Sequence, residues 1–273
     1  MRSSKLPYFL FLIPYSLFLF SCSANKAKIH NELKTYFDQY GVDGCFTMFD
    51  NATGEVLVYN MALDTQRFTP ASTFKVVNSL IGLQTGRITS EKMVIKWDGI
   101  KRSNEDWNKD LDMAEAFKVS AVNYYQEVAR RIGRDTMKFW IDSLGYGNKN
   151  IQGPIDSFWL NNQLKVSPDE QLGLMKRLYF GQLPFMKSVQ ETVKNIMLRE
   201  SNTAYKLSYK TGWGFDEEKH DIGWLVGWIE ENNHVYFFVT FIKSPKPGTD
   251  ISTVRLNITK AILKDLGFME GKK

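Results

Sequence analysis

Apolar residues recur at helical spacing through the middle of the chain, and in shorter, denser runs near its two ends. The helical spacing predicts helices at 29–40, 72–84, 124–132, 136–144, 168–180, 189–197 and 250–266. Three closely spaced apolar runs predict strands at 206–211, 222–230 and 235–243. The last of these runs is apolar on both faces, which is typical of a central strand that is covered on both sides.

Two further strands are predicted before residue 72. Residues 45–50 and 55–60 flank a turn-rich segment at 51–54, which indicates a hairpin. Because short connections join antiparallel neighbours, the order of elements predicts an α/β fold in which helices flank an antiparallel β-sheet. The helix-rich stretch at about 87–200 predicts an all-α subdomain. We expect one discontinuous core and a binding cleft where the two parts meet.

The first 21 residues have the composition of a targeting segment. Arg2 and Lys5 precede an apolar run that is too short for a comfortable membrane span. The run ends in Leu-Phe-Ser before Cys22, which resembles the lipobox of bacterial lipoproteins. We therefore expect a signal peptide at 1–21 and a mature domain at 22–273, anchored through lipidated Cys22 in the periplasm of a Gram-negative bacterium. An ordinary signal peptide and an uncleaved anchor are the alternatives.

Composition narrows the possible partners. The chain of 273 residues is 43% hydrophobic, enough for a substantial core, and its formal charge of +5 includes no long basic run. Nucleic-acid binding is therefore not indicated. The three histidines show no metal-ligand spacing, so we expect no metal. Cys45 is the one cysteine after the predicted leader, which leaves no intramolecular disulfide in the domain, and its apolar surroundings predict a buried thiol.

A Ser-x-x-Lys pattern follows Pro70, with Ser72 and Lys75 one turn apart on a predicted helix. A serine hydroxyl is a poor nucleophile until a base takes its proton. Lys75 is followed by Val76 and Val77, and burial among apolar groups lowers the pKa of an amine. The pattern predicts acyl transfer through Ser72. It is also expected about once by chance in a chain of this length, and a capping serine beside a surface lysine is the simpler alternative.

Five further features could belong to the same site, and each has an ordinary structural explanation as well. Ser120 could shuttle a proton or cap a helix. Arg255 offers a planar fork that suits a carboxylate, or lies on the surface. The remaining features are the tripeptide Tyr146-Gly147-Asn148, the indole of Trp159, and Lys210-Thr211-Gly212 before Trp213. A lysine and a threonine at a strand edge offer a positive charge and a hydroxyl to an anionic ligand.

Taken in order, these motifs resemble the class D, or oxacillinase-type, serine β-lactamases, over about residues 30–266. The Ser-Asp-Asn pattern of class A enzymes is absent, because Ser120-Ala-Val stands in its place. The resemblance implies that carbon dioxide or bicarbonate carboxylates the Lys75 amine and that no other cofactor is needed. The resulting carbamate would be the general base for acylation of Ser72 and for deacylation. Trp159 would hydrogen-bond the carbamate, and Ser120 would pass a proton to the lactam nitrogen.

The resemblance also implies a substrate site for β-lactams. The backbone amides of Ser72 and Trp213 would form the oxyanion hole. The other residues with an implied contact to the substrate or the carbamate are Trp107, Val122, Leu160, Lys210, Thr211, Gly212, Phe215 and Arg255. Of these, Lys210, Thr211 and Arg255 would hold the substrate carboxylate. The protein would be a monomer or a homodimer that confers resistance to β-lactam antibiotics.

Three other functions fit parts of the same pattern. A β-lactam sensor domain would be acylated without turnover, and a DD-peptidase would act on cell-wall peptides. A non-catalytic interaction module would leave six ordered motifs as a coincidence. Whether carbapenems are substrates depends on cleft geometry that the sequence does not fix.

Overall fold

The structure is a computed structural model that describes residues 27–273, so the predicted leader and Cys22 lie outside the described residues. Its centre is a seven-stranded sheet with the order β1-β3-β2-β7-β6-β5-β4. The strands are β1 (Ala27–Ile29), β2 (Asp43–Asp50), β3 (Val56–Tyr59), β4 (Leu198–Ser201), β5 (Lys206–Phe215), β6 (Asp221–Glu231) and β7 (His234–Ser244). The predicted central strand at 235–243 is confirmed, because β7 is the fourth of the seven.

The predicted fold class is confirmed, with one departure in strand direction. Neighbouring strands are antiparallel from β3 to β4 across the sheet, but β1 pairs parallel with β3. The sheet is therefore mixed rather than purely antiparallel. Strands β1 and β4 have three and four residues, too few to show an alternating pattern, and the sequence prediction missed both.

Helices flank both faces of the sheet. They are α1 (Lys34–Asp38), α2 (Met61–Thr65), α3 (Lys75–Gln84), α4 (Met113–Lys118), α5 (Val122–Ile132), α6 (Arg134–Leu144), α7 (Pro168–Tyr179), α8 (Lys187–Met197) and α9 (Ile251–Asp265). The helix predicted at 29–40 is shorter, because α1 follows β1 and a single 3-10 turn at Asn31–Leu33. Within residues 27–273, no helix has the length and apolar character needed to cross a bilayer.

Local sequence accounts for several helix boundaries. Helix α7 begins with a capping box, in which the Ser167 hydroxyl accepts from the Glu170 amide and the Glu170 carboxylate accepts from the Ser167 amide. Asp112 and Glu115 form the same arrangement at the start of α4. Gly145 ends α6 in the left-handed conformation, φ +65°, which glycine adopts at low cost.

Two apolar clusters cover the two faces of the sheet. On one face, Leu225 and Ile242 pack with Ile258 of α9 and the side chains of α1. On the other face, Trp224 and Phe241 belong to a cluster with apolar side chains of helices α3 to α8. Cys45 belongs to the second cluster and is a buried free thiol, as predicted. The arrangement places the start of α3, the α4–α5 turn and strand β5 side by side.

Candidate active site

Ser72 and Lys75 meet at the start of α3. Residues Ala71–Phe74 form one turn of 3-10 helix that leads directly into α3, with Pro70 immediately before it. This geometry puts the two side chains on one face, and Lys75 Nζ donates a hydrogen bond to Ser72 Oγ over 2.8 Å. The surface-lysine alternative is wrong, because Lys75 is 1% exposed.

Burial controls the protonation of Lys75. Desolvation lowers the pKa of its amine to about 7. Its Nζ also lies 5.4 Å from the centroid of the Tyr125 ring. A substantial fraction of the amine is therefore neutral near pH 7, and a neutral amine can act as a base or a nucleophile.

Trp159 lies beside the Ser72 turn with an unsatisfied donor. Its backbone carbonyl accepts from the Ala71 amide at 3.1 Å and from the Thr69 hydroxyl at 2.9 Å. The indole ring stacks on Phe74 with centroids 5.3 Å apart and is 1% exposed. Among the described residues, nothing accepts a hydrogen bond from its buried Nε1. Because a buried donor without an acceptor is costly, this position favours an added acceptor group.

Ser120 and Lys210 join the helical part to the sheet. Ser120 lies in the tight turn between α4 and α5 with φ +60°, and its Oγ accepts from Lys210 Nζ at 2.9 Å. Lys210 also donates to the Thr211 carbonyl at 2.9 Å. Its pKa lies well below the ordinary value, first because it is buried and then because Lys75, Arg199 and Arg255 add positive charge. Buried Lys210 therefore lies near three other basic side chains, a grouping that suits an anionic ligand.

Strand β5 packs directly against the Ser72 turn. A Cβ on Gly212 would lie 3.0 Å from the Pro70 carbonyl oxygen, so glycine permits this close approach. Arg255 of α9 is only 7% exposed, and its guanidinium donates to the Gly212 carbonyl while its Nε has no partner among the described residues. Burial lowers the pKa of Arg255 to about 10. The alternative of a surface arginine is wrong.

The remaining predicted site residues lie around these groups. Trp107 is half-buried, and its Nε1 donates to the Val119 carbonyl at 3.0 Å, next to the Ser120 turn. Half-buried Val122 and Leu160 directly follow the Ser120 turn and Trp159 in the chain. Trp213 is 54% exposed, and Phe215 lies two residues further along the same face of β5. The structure thus brings together motifs that are far apart in sequence.

Comparison with known proteins agrees with this geometry. Residues 44–264 match the family model of the penicillin-binding protein transpeptidase domain. The chain is 40% identical over 247 residues to the probable β-lactamase YbxI of Bacillus subtilis, covering 90% of this chain and 87% of that protein. The solved class D β-lactamase YbXI from Nostoc superposes with a TM-score of 0.83 at 38% identity, covering 88% of this chain and 100% of that one. The chain belongs to the class D β-lactamases.

A regulatory relative has the same domain. The regulatory protein BlaR1 of Bacillus licheniformis is 32% identical to this chain over 231 residues, which are 84% of this chain and 38% of that protein. Class D β-lactamases are hydrolases, and the similarity to BlaR1 shows that a regulatory protein carries a related domain.

The Tyr-Gly-Asn tripeptide of this class D β-lactamase supports the loop that carries Trp159. The Asn148 side chain accepts from the Lys165 amide at 3.0 Å and donates to the Gln163 carbonyl at 2.8 Å. A Cβ on Gly147 would lie 2.0 Å from the Lys165 carbonyl oxygen, so no larger residue fits there. The tripeptide therefore fixes the loop through backbone contacts.

Sequence reasoning missed two polar residues near the site. Asp221 accepts from the Trp213 indole at 2.8 Å and holds that exposed ring in one orientation. Arg199 lies close enough to Lys210 to lower its pKa. Neither belongs to a recognisable motif, and both reach the site only through the pairing of β4, β5 and β6.

One cluster on the β5–β6 hairpin could have held a cation. Within residues 27–273, Asp216, Glu218 and His220 place ligand atoms within 4.8 Å of one another, a grouping that the histidine spacing did not reveal. Lys243 already lies 2.7 Å from the Asp216 carboxylate and 3.4 Å from that of Glu218. Its ammonium balances the acidic charge, so this class D β-lactamase has an ion-pair network at the hairpin.

Proposed function

We propose that this protein hydrolyses β-lactams through an acyl-enzyme on Ser72, with N-carboxylated Lys75 as the general base, and thereby confers β-lactam resistance. The observation that carries the proposal is a buried amine of lowered pKa at Lys75 near an unsatisfied indole donor at Trp159, whose ring stacks on Phe74, the residue before Lys75. A neutral amine can bond to carbon dioxide, and an indole N–H can then hydrogen-bond the added carboxylate.

The Lys75 amine and Trp159 fit such a group. Carbon dioxide bonded to Lys75 would supply a carboxylate base in reach of Ser72, both for acylation and for the water that releases the product. Ser72 Oγ attacks the lactam carbonyl carbon as its proton passes to the base. Half-buried Val122 and Leu160, which follow the Ser120 turn and Trp159 in the chain, would limit the access of bulk water to this base.

Ser120 and strand β5 would protonate the leaving group and stabilise the developing negative charge. Ser120 Oγ passes a proton to the lactam nitrogen as the ring opens, and Lys210 keeps that hydroxyl oriented through their 2.9 Å hydrogen bond. The backbone amides of Ser72 and Trp213 stabilise the carbonyl oxygen in the tetrahedral state. Lys210, Thr211 and Arg255 attract the substrate carboxylate.

A turnover assay tests the proposal. Purified protein should hydrolyse a chromogenic cephalosporin over many turnovers, and activity should fall when bicarbonate is depleted and return when it is restored. Ser72→Ala is the negative control and should show no turnover. Indifference to bicarbonate would contradict the role of N-carboxylated Lys75 while leaving hydrolysis itself intact.

A β-lactam sensor is the second candidate, favoured by the 32% identity to BlaR1. Protein that binds a penicillin covalently but releases no product in the same assay would support it. A DD-peptidase would instead release D-alanine from a cell-wall peptide. The hydrolase predicts neither stable acylation nor D-alanine release.

We further propose that the protein is exported to the periplasm of a Gram-negative bacterium and held there by a lipid on Cys22. The support is the charged and apolar leader followed by the lipobox-like residues. Mass spectrometry of the mature N-terminus should find a lipidated cysteine. A Cys22→Ala variant should be released from membranes, whereas a wild-type N-terminus without lipid would contradict the anchor.

A further inference from the structure

Arg199 is an arginine on an edge strand whose side chain is turned towards the interior. In the pairing of β4 with β5, Leu198 lies opposite Ser208 and Glu200 lies opposite Leu207, so Arg199 is the extra residue of a β-bulge. Bulges re-aim side chains and are over-represented next to active sites. Arg199 is half-buried as a result, although β4 is the outermost strand of the sheet.

The guanidinium of Arg199 contacts both halves of the site. Its Nη2 donates to the Phe117 carbonyl at 3.4 Å, and its Nε donates to the Tyr209 carbonyl at 3.4 Å. It also lies 5.7 Å from the ring centroid of Phe117 and 5.9 Å from that of Tyr209. Phe117 belongs to α4 in the helical part, and Tyr209 belongs to β5.

Both contacts lie next to residues of the proposed proton path. The Phe117 carbonyl also accepts from the Ser120 amide at 3.3 Å, which closes the turn that holds Ser120. Tyr209 directly precedes Lys210, whose Nζ lies 5.5 Å from the same Phe117 ring. Arg199 is thus bonded to the two backbone segments that set the separation of Ser120 and Lys210.

The charge of Arg199 has no acidic partner in the part of the chain that the structure describes, and burial lowers its pKa. A partly desolvated guanidinium that is not neutralised costs stability. A purely structural role at a sheet edge would be filled at lower cost by an apolar residue of similar length. This cost, together with the two contacts, points to a role in the site.

We propose that Arg199 is a positioning residue for acylation: its guanidinium joins the Ser120 turn to strand β5 and keeps Ser120 Oγ within hydrogen-bond distance of Lys210 Nζ. The inference rests on the proposed function, in which Ser120 and Lys210 act while the lactam nitrogen leaves. Deacylation proceeds after that nitrogen has taken its proton, so it should not depend on Arg199.

The test compares acylation and deacylation in Arg199→Met, Arg199→Lys and a control, Arg130→Met, which removes an arginine paired with Glu127 and Asp156 on the surface. Acylation is measured by stopped flow with a fluorescent penicillin, and deacylation is measured on pre-acylated protein. Because small misplacement of a catalytic group reduces rates by up to about 100-fold, acylation in Arg199→Met should fall by about 10- to 100-fold. Its deacylation should stay within about twofold of the wild type, since the base at Lys75 is untouched.

Arg199→Lys keeps the cation and a donor, so it should recover part of the acylation rate, and Arg130→Met should acylate like the wild type. Unchanged acylation in Arg199→Met would overturn the inference, as would an equal fall in both steps. Wild-type protein that acylates but releases no product would contradict the proposed hydrolysis instead. The acylation rates of the variants would still decide the role of Arg199 in that case.

Discussion

At the scale of single residues, the burial of basic side chains sets the chemistry of the site. The pKa values of Lys75, Lys210 and Arg255 are all lowered, and desolvation is the first cause for each. Buried basic groups normally pair with carboxylates, and among residues 27–273 none of these three side chains forms an ion pair, so the site suits an anion from outside.

The indole donor of Trp159 gives the first prediction at this scale. Trp159→Phe keeps a ring against Phe74 but removes the N–H. Because a hydrogen bond to a charged group contributes about 1.5–3 kcal/mol, the bicarbonate concentration for half-maximal activity should rise about 10- to 100-fold. Bicarbonate titration of turnover measures this. Trp140→Phe, at a ring that stacks on Phe185 in the helical part, should leave the titration unchanged; an unchanged titration in Trp159→Phe would remove the indole from the mechanism.

The lowered pKa of Lys75 gives a second prediction. The amine titrates near 10.5 when unfolded and at about 7 when folded, so between these values the unfolded chain binds more protons. The contribution of this group to the free energy of unfolding should therefore rise as the pH increases from about 7 to about 10.5. Urea unfolding in carbon-dioxide-free buffer at several pH values checks this. The free energy of unfolding of the wild type minus that of Lys75→Met should increase with pH. A value that does not change with pH would contradict the shift.

At the scale of elements, strand β5 is longer than the sequence predicted. The apolar run predicted a strand at 206–211, but β5 continues to Phe215 because residues 212–215 pair with β6. Glycines weaken the strand pattern there, yet Gly212 is what lets the strand approach the Ser72 turn. The extension also carries the exposed rings of Trp213 and Phe215.

Close packing between β5 and β6 can be tested by substituting a crowded glycine and comparing it with an uncrowded glycine elsewhere. A Cβ on Gly227 would lie 2.0 Å from the Ser208 carbonyl oxygen, so Gly227→Ala must displace the strand beside Lys210. It should lower the free energy of unfolding by about 1–3 kcal/mol or more and reduce activity as well. Gly173→Ala, in α7 with nothing within 4 Å, should instead be neutral or stabilising by up to about 1 kcal/mol. Denaturant unfolding measures both, and equal effects would contradict the packing argument.

At the scale of the whole molecule, the sheet and the helical part share one apolar cluster. Phe241 and Trp224 of the sheet belong to the same cluster as Val128 of α5 and Ile141 of α6. The all-α subdomain at about 87–200 stays a prediction as a unit, but its side chains are not packed separately from the sheet. The proposed mechanism depends on this shared core, because Ser120 and Lys210 come from its two sides.

The shared core predicts cooperative unfolding of the full chain. Far-UV circular dichroism reports helices and strands throughout, whereas tryptophan fluorescence reports buried residues such as Trp159 in the helical part and Trp224 in the sheet. The two transitions should coincide in midpoint and slope. A separate early transition in either probe would show that the two parts unfold independently.

The sequence by itself determined the elements with long apolar periodicity and the order of the motifs. Helices α5 to α9 and strands β5 to β7 begin and end within a few residues of their predicted positions, because their patterns are local. Ser72 and Lys75 were predicted as a pair from their local spacing together with the order of the other motifs along the chain. Only the tertiary structure decided the parallel pairing of β1 and the bulge at Arg199. It also decided the hydrogen bond from Trp213 to Asp221 and the unsatisfied Trp159 donor. These features depend on burial and hydrogen bonds between segments distant in the chain, and no local pattern encodes them.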